Sequence, residues 1–183
     1  EVTVSRVAGT VTYPSRFMLV CAMNPCKCGW HGHPSGRCRC TERDVRRYHS
    51  RISGPLLDRI DLIVEVPALE YEELSRRSSA ESSADIKKRV NAARELQRQR
   101  FGGEGTMCNA HIGSRELNVV CALDAEGQAL MHAAFDSMGL SARSYDRILR
   151  VARTIADLDG QKNISAEHIA EAIQYRRYDF REA

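Results

Sequence analysis

No stretch of the 183-residue sequence approaches the roughly 18 consecutive apolar residues that a membrane-spanning helix needs. No signal-peptide pattern opens it either, so a cytoplasmic location is the default expectation. Net charge is nearly lacking: a formal +3 is too small for the chain as a whole to act as a polyanion binder. A phosphate-cradling G-x-x-x-x-G-K-[ST] loop is missing, as are an H-E-x-x-H and a recognisable Ser/His/Asp constellation. By itself, therefore, this polypeptide holds no complete catalytic centre. Residue 1 already stands in a strand-like alternation, with no Met before it. The expectation is a part of a longer protein.

Cysteine is what the chain does have, and in an odd number, seven. A small secreted disulfide scaffold more often carries an even set. Four cysteines cluster in NPCKCGWHGHPSGRCRC (24–40), and Cys21, Cys108 and Cys121 are scattered among apolar neighbours. Clustering points to metal, and scattering to small buried hydrophobes. Cys26, Cys28, Cys38 and Cys40 form two C-x-C pairs on a Gly/Pro-rich loop. They either hold a structural zinc, with His31, His33 or His49 able to replace one sulfur, or remain free thiols. C-x-C is tighter than the usual spacing of zinc ligands, which counts slightly against the metal.

The chain changes character along its length. EVTVSR (1–6) and TVTYPSR (10–16) alternate β-branched and polar residues around Gly9 and predict a β-hairpin. RFMLVCAM (16–23) and DLIVEVP (61–67) predict two strands buried on both faces of a parallel sheet. Residues 41–52 predict a helix capped by Thr41 with Val45, Tyr48 and Ile52 inward, and Pro55 begins a short helical turn. A Ser-rich stretch marks a linker at 68–84. Beyond it every segment reads as helix: 85–101 with Ile86, Val90, Ala93 and Leu96 on one face, then 114–122, 125–138, 141–160 and 165–177. The expected division is an α/β domain over 1–67, carrying the cysteine loop 26–40, and an all-α domain over 85–183.

Several polar residues invite a functional reading. Asn24 ends a predicted buried strand, where α/β sheets bind ligands, although Asn-Pro is also a plain turn signal and pattern alone favours the turn. Arg59 in SGPLLDRIDL either pairs with Asp58 or Asp61 or reaches a phosphate, and the pairing is the simpler expectation. Arg143 stands in the first turn of the strongest helix, where a cation opposes the helix dipole unless an acid or a phosphate answers it. Arg37, Arg39, Arg43, Arg46, Arg47 and Arg51 outnumber Glu42 and Asp44 over 37–51, giving either a phosphate-tracking surface or a solvated face.

Taken together, VTVSR…GTVTYPSRFMLVCAMNPCKCG, RISGPLLDRIDL and LSARSYDRILRVARTIADL closely resemble the Mg-chelatase-like AAA+ ATPases of bacteria, and among them the competence-associated ComM/YifB group. The resemblance covers essentially the whole chain. It implies the C-terminal half of an AAA+ P-loop NTPase core followed by a helical lid bundle, with the Walker A and B segments lying upstream. It further implies ATP and Mg as ligands of the full protein and a hexameric ring as its assembly. By position in the motifs, Asn24 matches the first sensor, Arg59 the arginine finger that reaches a neighbour's ATP, and Arg143 the second sensor. The hairpin matches one that faces the ring's pore in related helicases, which makes Arg6 a DNA contact beside Arg46 and Arg47. The cysteine loop marks the competence-associated subgroup rather than magnesium chelatases proper.

Three functions follow as expectations. The first is a DNA motor for branch migration in competence and recombination. The second is a chelatase-type ATPase driving metal into a porphyrin. The third is a zinc-stabilised, non-catalytic binding module. On any of them the 183 residues alone should hydrolyse no ATP.

Overall fold

A computed structural model describes residues 1–15, 17–68, 71, 81–102 and 108–176. Arg16, most of the expected linker, the end of the GGEG break and Arg177 onward lie outside the described residues. The chain forms two compact units, Glu1–Tyr48 and His49–Ala183. The described residues mix a two-stranded sheet with helices, so the protein is of mixed α/β class.

In the first unit, β1 (Val2–Arg6) and β2 (Gly9–Tyr13) pair antiparallel, Val2 opposite Tyr13 and Arg6 opposite Gly9. Val7 and Ala8 thus form the two-residue turn. Val and Thr suit the pleated backbone, and the hydroxyls of Thr3 and Thr12 meet across the strands at 3.0 Å. Both faces of this ribbon are exposed. Helix α1 (Glu42–His49) is closed at its start as expected: the Asp44 amide donates to Thr41 Oγ1 at 3.2 Å, and Asp44 Oδ2 accepts from the Thr41 amide and hydroxyl. Val45 is buried and Tyr48 half-buried, while Arg43, Arg46 and Arg47 occupy the opposite side of the helix.

The two predicted buried strands are a correction. Residues 17–23 and 61–67 belong to no ladder among the described residues, and Phe17 and Val66 are 75% and 84% exposed. A parallel strand exists only where neighbours complete its hydrogen bonds and layers cover both faces. Apolar sequence supplies the propensity, but nothing among the described residues supplies the neighbours. Only Ile63 is half-buried, where its amide donates to the Tyr175 carbonyl at 3.0 Å.

The second unit holds α2 (Gly54–Leu57), α3 (Ser83–Arg100), a 3-10 turn (Asn109–His111), α4 (Ser114–Val120), α5 (Ala125–Met138), α6 (Ala142–Leu158) and α7 (Ala166–Gln174). Helix α6 is the axis of this assembly and touches α3, α4, α7 and the 3-10 turn. Its stripe of Ile148, Leu149, Ala152, Ile155 and Ala156 is buried, as its 3.6-residue period predicts. Against it pack Ile112, Leu117, Cys121, Met131, Ile164, Ile169 and Ile173. Ser141 Oγ accepts from the Ser144 amide at 3.1 Å and starts the helix. Ser165 and His168 form a reciprocal capping box on α7.

Helix α3 departs from expectation. Ala93 is buried, but Ile86, Val90 and Leu96 are exposed, and Gln97 is buried instead. Its docking is polar. Arg100 reaches Asp157 of α6 through two hydrogen bonds of 2.5 and 2.8 Å. Asp157 also accepts from Asn109 Nδ2 at 2.8 Å and Arg153 Nε at 3.1 Å. Arg153 in turn donates to the carbonyls of Gln161 and Lys162. Charge in this cluster is both paired and hydrogen-bonded, which is the condition for burying it at tolerable cost. Burial works to raise the Asp157 pKa. The hydrogen bonds from Arg100 and Asn109 and the fields of both arginines overcome it and hold the carboxyl below its ordinary range.

Candidate functional site

The cysteine loop folds into a cup of four sulfurs that could hold a metal ion. A turn closed by the Gly29 amide on the Cys26 carbonyl, 3.0 Å, brings Cys28 back beside Cys26, and Gly29 takes a φ of +83° that favours glycine. The Sγ atoms of Cys26, Cys28, Cys38 and Cys40 all lie within 4.8 Å of one another. The separations are 3.3 Å for Cys26–Cys28, 3.6 Å for Cys28–Cys38 and 3.9 Å for Cys26–Cys38. They are far longer than a disulfide, and all four thiols are free. Four sulfurs at about 2.3 Å from a central ion would stand roughly 3.8 Å apart, so the spacing fits a tetrahedral thiolate metal site. No histidine joins the group among the described residues.

The four thiols differ in how readily they ionise. Backbone N–H groups of Arg39 and Trp30, then the Cys26 thiol, lower the Cys28 pKa to about 6. Burial and the neighbouring Cys28 push Cys40 up to about 12. Cys26 is lowered as well and Cys38 raised, the uneven pattern expected where adjacent thiolates would repel one another. Lys27 ties the loop to α1 through Asp44 at 2.7 Å. The scattered cysteines do not behave alike: Cys121 is buried as expected, Cys108 is half-buried and Cys21 is exposed.

Arg59 corrects the simpler expectation drawn for it. Its neighbouring acids are engaged elsewhere: Asp61 with Arg147 of α6, Asp58 with Arg176 at 3.7 Å and with Ser144 Oγ at 3.5 Å. Arg59 is exposed, and its Nη1 donates back to the Pro55 carbonyl of its own turn at 2.6 Å. Arg176, whose side chain is almost wholly buried, also donates to the Ile60 carbonyl and to Ser144 Oγ. A clamp thus fixes residues 58–61 to the first turns of α6. Leu57, Asp58, Met138, Leu140, Ser141 and Arg176 line a cavity of about 230 Å³ there.

Arg143 lies in the same turn of α6 as Ser144. It is exposed and makes no hydrogen bond or ion pair with the described residues. The structure therefore brings the segment of Arg59 and the helix start of Arg143 together, through Asp58 and Ser144. Asn24 belongs to the first unit and is exposed, its side chain 3.9 Å from the position a Cβ on Gly29 would take. Arg6 ends β1 at the hairpin turn and is exposed. Arg46 faces Glu42 at 3.7 Å on the exposed side of α1, which Arg47 shares. The clamp of Asp58, Ser144, Arg147 and Arg176 escapes sequence reasoning. Only the acids flanking Arg59 hint at it, and nearness in the chain gives them to the wrong arginine.

Comparison with known proteins agrees with this layout. A family model described as "Magnesium chelatase, subunit ChlI" matches residues 1–74, and one described as "Magnesium chelatase, subunit ChlI C-terminal" matches residues 80–176, more than half of the chain. The "Competence protein ComM" of Haemophilus influenzae is 40% identical over 178 residues, covering 96% of this chain and 34% of the relative. The "Uncharacterized protein YifB" of Escherichia coli is 41% identical over 181 residues, 98% of this chain and 34% of the relative. An uncharacterized protein of Mycobacterium tuberculosis is 36% identical over 177 residues, 97% of this chain and 35% of its own length. The chain spans about a third of the length of the curated relatives it matches. With both regions of the family matched in order along one sequence, the chain belongs to the magnesium chelatase ChlI family.

Proposed function

We propose that this chain is the C-terminal part of an AAA+ ATPase motor that acts on DNA, working as a hexameric ring in the cytoplasm. Residues 1–67 complete the P-loop core, 68–84 link, and 85–183 form the lid. The observation that carries the reading is the state of Arg59. Both adjacent carboxylates are taken by other arginines, so its guanidinium is exposed with only its own turn's carbonyl as a partner. A planar, permanently charged donor kept in this way suits the charge that develops on a transferring phosphoryl group. Arg143 supports it: an exposed cation against the positive end of a helix dipole is at a disadvantage unless an anion comes to it. Arg59 is assigned to the ATP of a neighbouring subunit, Arg143 to closing the lid on the nucleotide, and Asn24 to holding the attacking water. The triphosphate cradle and its Mg lie with segments beyond these 183 residues. Zinc at Cys26, Cys28, Cys38 and Cys40 would be structural: four protein ligands leave no open position for chemistry.

DNA is favoured over a porphyrin because a relative is named a competence protein and because basic residues gather on the cysteine loop and α1. The test is ATP turnover by the full-length protein with and without branched DNA. Stimulation by DNA is expected, with Arg59→Ala lowering kcat by about a thousandfold or more. Arg143→Ala should raise KM for ATP. Absence of DNA binding at low salt, or wild-type turnover from Arg59→Ala, would refute the assignment.

A further inference from the structure

We infer that the cysteine loop carries a base-stacking site for single-stranded nucleic acid, built on Trp30 and Arg37. This rests on the proposal that DNA is the motor's track, and it names the form of DNA and the residues that grip it. Trp30 is the sole tryptophan of the chain and stands between the two C-x-C pairs. Its backbone amide serves the metal cup by pointing at Cys28. Its side chain is not spent on that task. Trp30 is 36% exposed, with the Arg37 guanidinium over its ring at 5.1 Å and the His33 ring meeting it edge-on at 4.9 Å and 81°.

This arrangement presents what an unpaired base binds: an aromatic plane and a planar cation, both stacking surfaces. Phosphate contacts are at hand in the same unit. Arg39 and Arg43 are exposed and have no acidic partner among the described residues. The acids of the segment are partly spent, Asp44 on Lys27 and Glu42 on Arg46. Duplex bases are already stacked on one another, so this site discriminates for single strands. Zinc in the cup would fix both ends of the loop that carries Trp30 and Arg37, a use for the metal beyond folding.

The sole tryptophan makes the site its own reporter. The zinc-loaded 183-residue chain is titrated with oligo-deoxythymidylate of about 15 nucleotides, the upper range for one binding module. Trp30 fluorescence is followed together with the anisotropy of a label on the DNA. Quenching should track binding, and Trp30→Ala should weaken affinity about five- to a hundredfold, the range of one lost stacking contact. Trp30→Phe should recover part of it, Arg37→Ala should weaken binding more than Arg43→Ala, and zinc content should be unchanged in all four. Three results would overturn the site. The oligonucleotide binds with no change in fluorescence and Trp30→Ala binds as wild type, in which case DNA remains the track but Trp30 is no part of the grip. Heparin competes as well as the oligonucleotide at equal charge, so that only phosphate-like charge is read. Or no binding occurs at low salt, which removes the site along with its premise.

Discussion

Replacing Asp157 by Asn keeps the shape of the side chain and removes its charge. In the wild type the two carboxylate oxygens accept four hydrogen bonds, two from Arg100, one from Arg153 and one from Asn109. Their donors are held by three separate elements, α3, the 3-10 turn and α6. The Asp157 side chain is wholly buried, and the Arg153 side chain is 3% exposed. The substituted amide can accept on one atom only and turns a donor toward guanidinium groups that are donors themselves. Two cations are left close together with no counter-charge, and Arg153 cannot reach water. Removing one partner of a buried pair costs about 3–5 kcal/mol. A domain of this kind has about 5–15 kcal/mol in all. Urea denaturation followed by circular dichroism should therefore show Asp157→Asn losing about a fifth of the stability or more, with the slope unchanged. A loss below about 1 kcal/mol would refute the reasoning, since it would mean that the arginines and the carboxylate do not act as a unit.

The same carboxylate sets a pH dependence. Its folded pKa is depressed below the unfolded value of about 3.9, so its contribution is complete above that value. It is lost as pH falls from there through the folded pKa. Asp157→Asn should flatten the acid limb of the stability–pH curve. An unchanged acid limb in the variant would contradict the assignment.

Other expectations are independent of that cluster. Metal analysis after zinc loading should find one ion per chain, and cobalt substitution should give the absorption of a tetrahedral thiolate site; Cys26→Ser should lose both, and metal affinity should fall as pH is lowered because the thiols must ionise to bind. Gly139 ends α5 at φ +58° with nothing within 4 Å of an added Cβ, so Gly139→Ala should cost about 1–2 kcal/mol in denaturation, from backbone strain alone. Arg176→Met removes the donor to Ile60, Ser144 and Asp58; hydrogen exchange at the Ile63 amide should quicken about tenfold or more while the α6 core stays protected.

Local sequence made most elements legible. The hairpin, the Thr41, Ser141 and Ser165 helix starts, the stripe on α6 and the four-sulfur cup all follow from signals contained within about twenty residues, and each is where those signals put it. What failed was whatever needs a partner distant in sequence. Phe17–Met23 and Leu62–Val66 have strand propensity and no ladder among the described residues. Ile86 and Val90 have helical spacing, yet α3 docks through Arg100, Ala93 and Gln97. Hydrophobic period reports which side of an element wants cover, but not whether cover arrives.

The clamp at Arg59 shows the same limit in charge rather than in packing. Along the chain, Asp58 and Asp61 flank Arg59 so closely that proximity makes them its partners. In space they are not. The two acids meet Arg176 and Arg147, far along the sequence, and Arg59 is left with a carbonyl. The preference has a physical source. Arg176 is nearly buried and Arg147 mostly so, and a desolvated guanidinium needs a carboxylate far more than one in water does. The buried arginines therefore win both acids, and the exposed one is left with the carbonyl of its own turn. Pairing is decided by which cation loses more without its partner, not by which is nearer in the chain. Two of the motifs that carry the family resemblance, 51–62 and 140–158, meet in that one contact. A change to Ser144 or Asp58 would thus be felt at Arg59 and Arg143 together, because Ser144, Asp58 and Arg176 form one hydrogen-bonded group beside them.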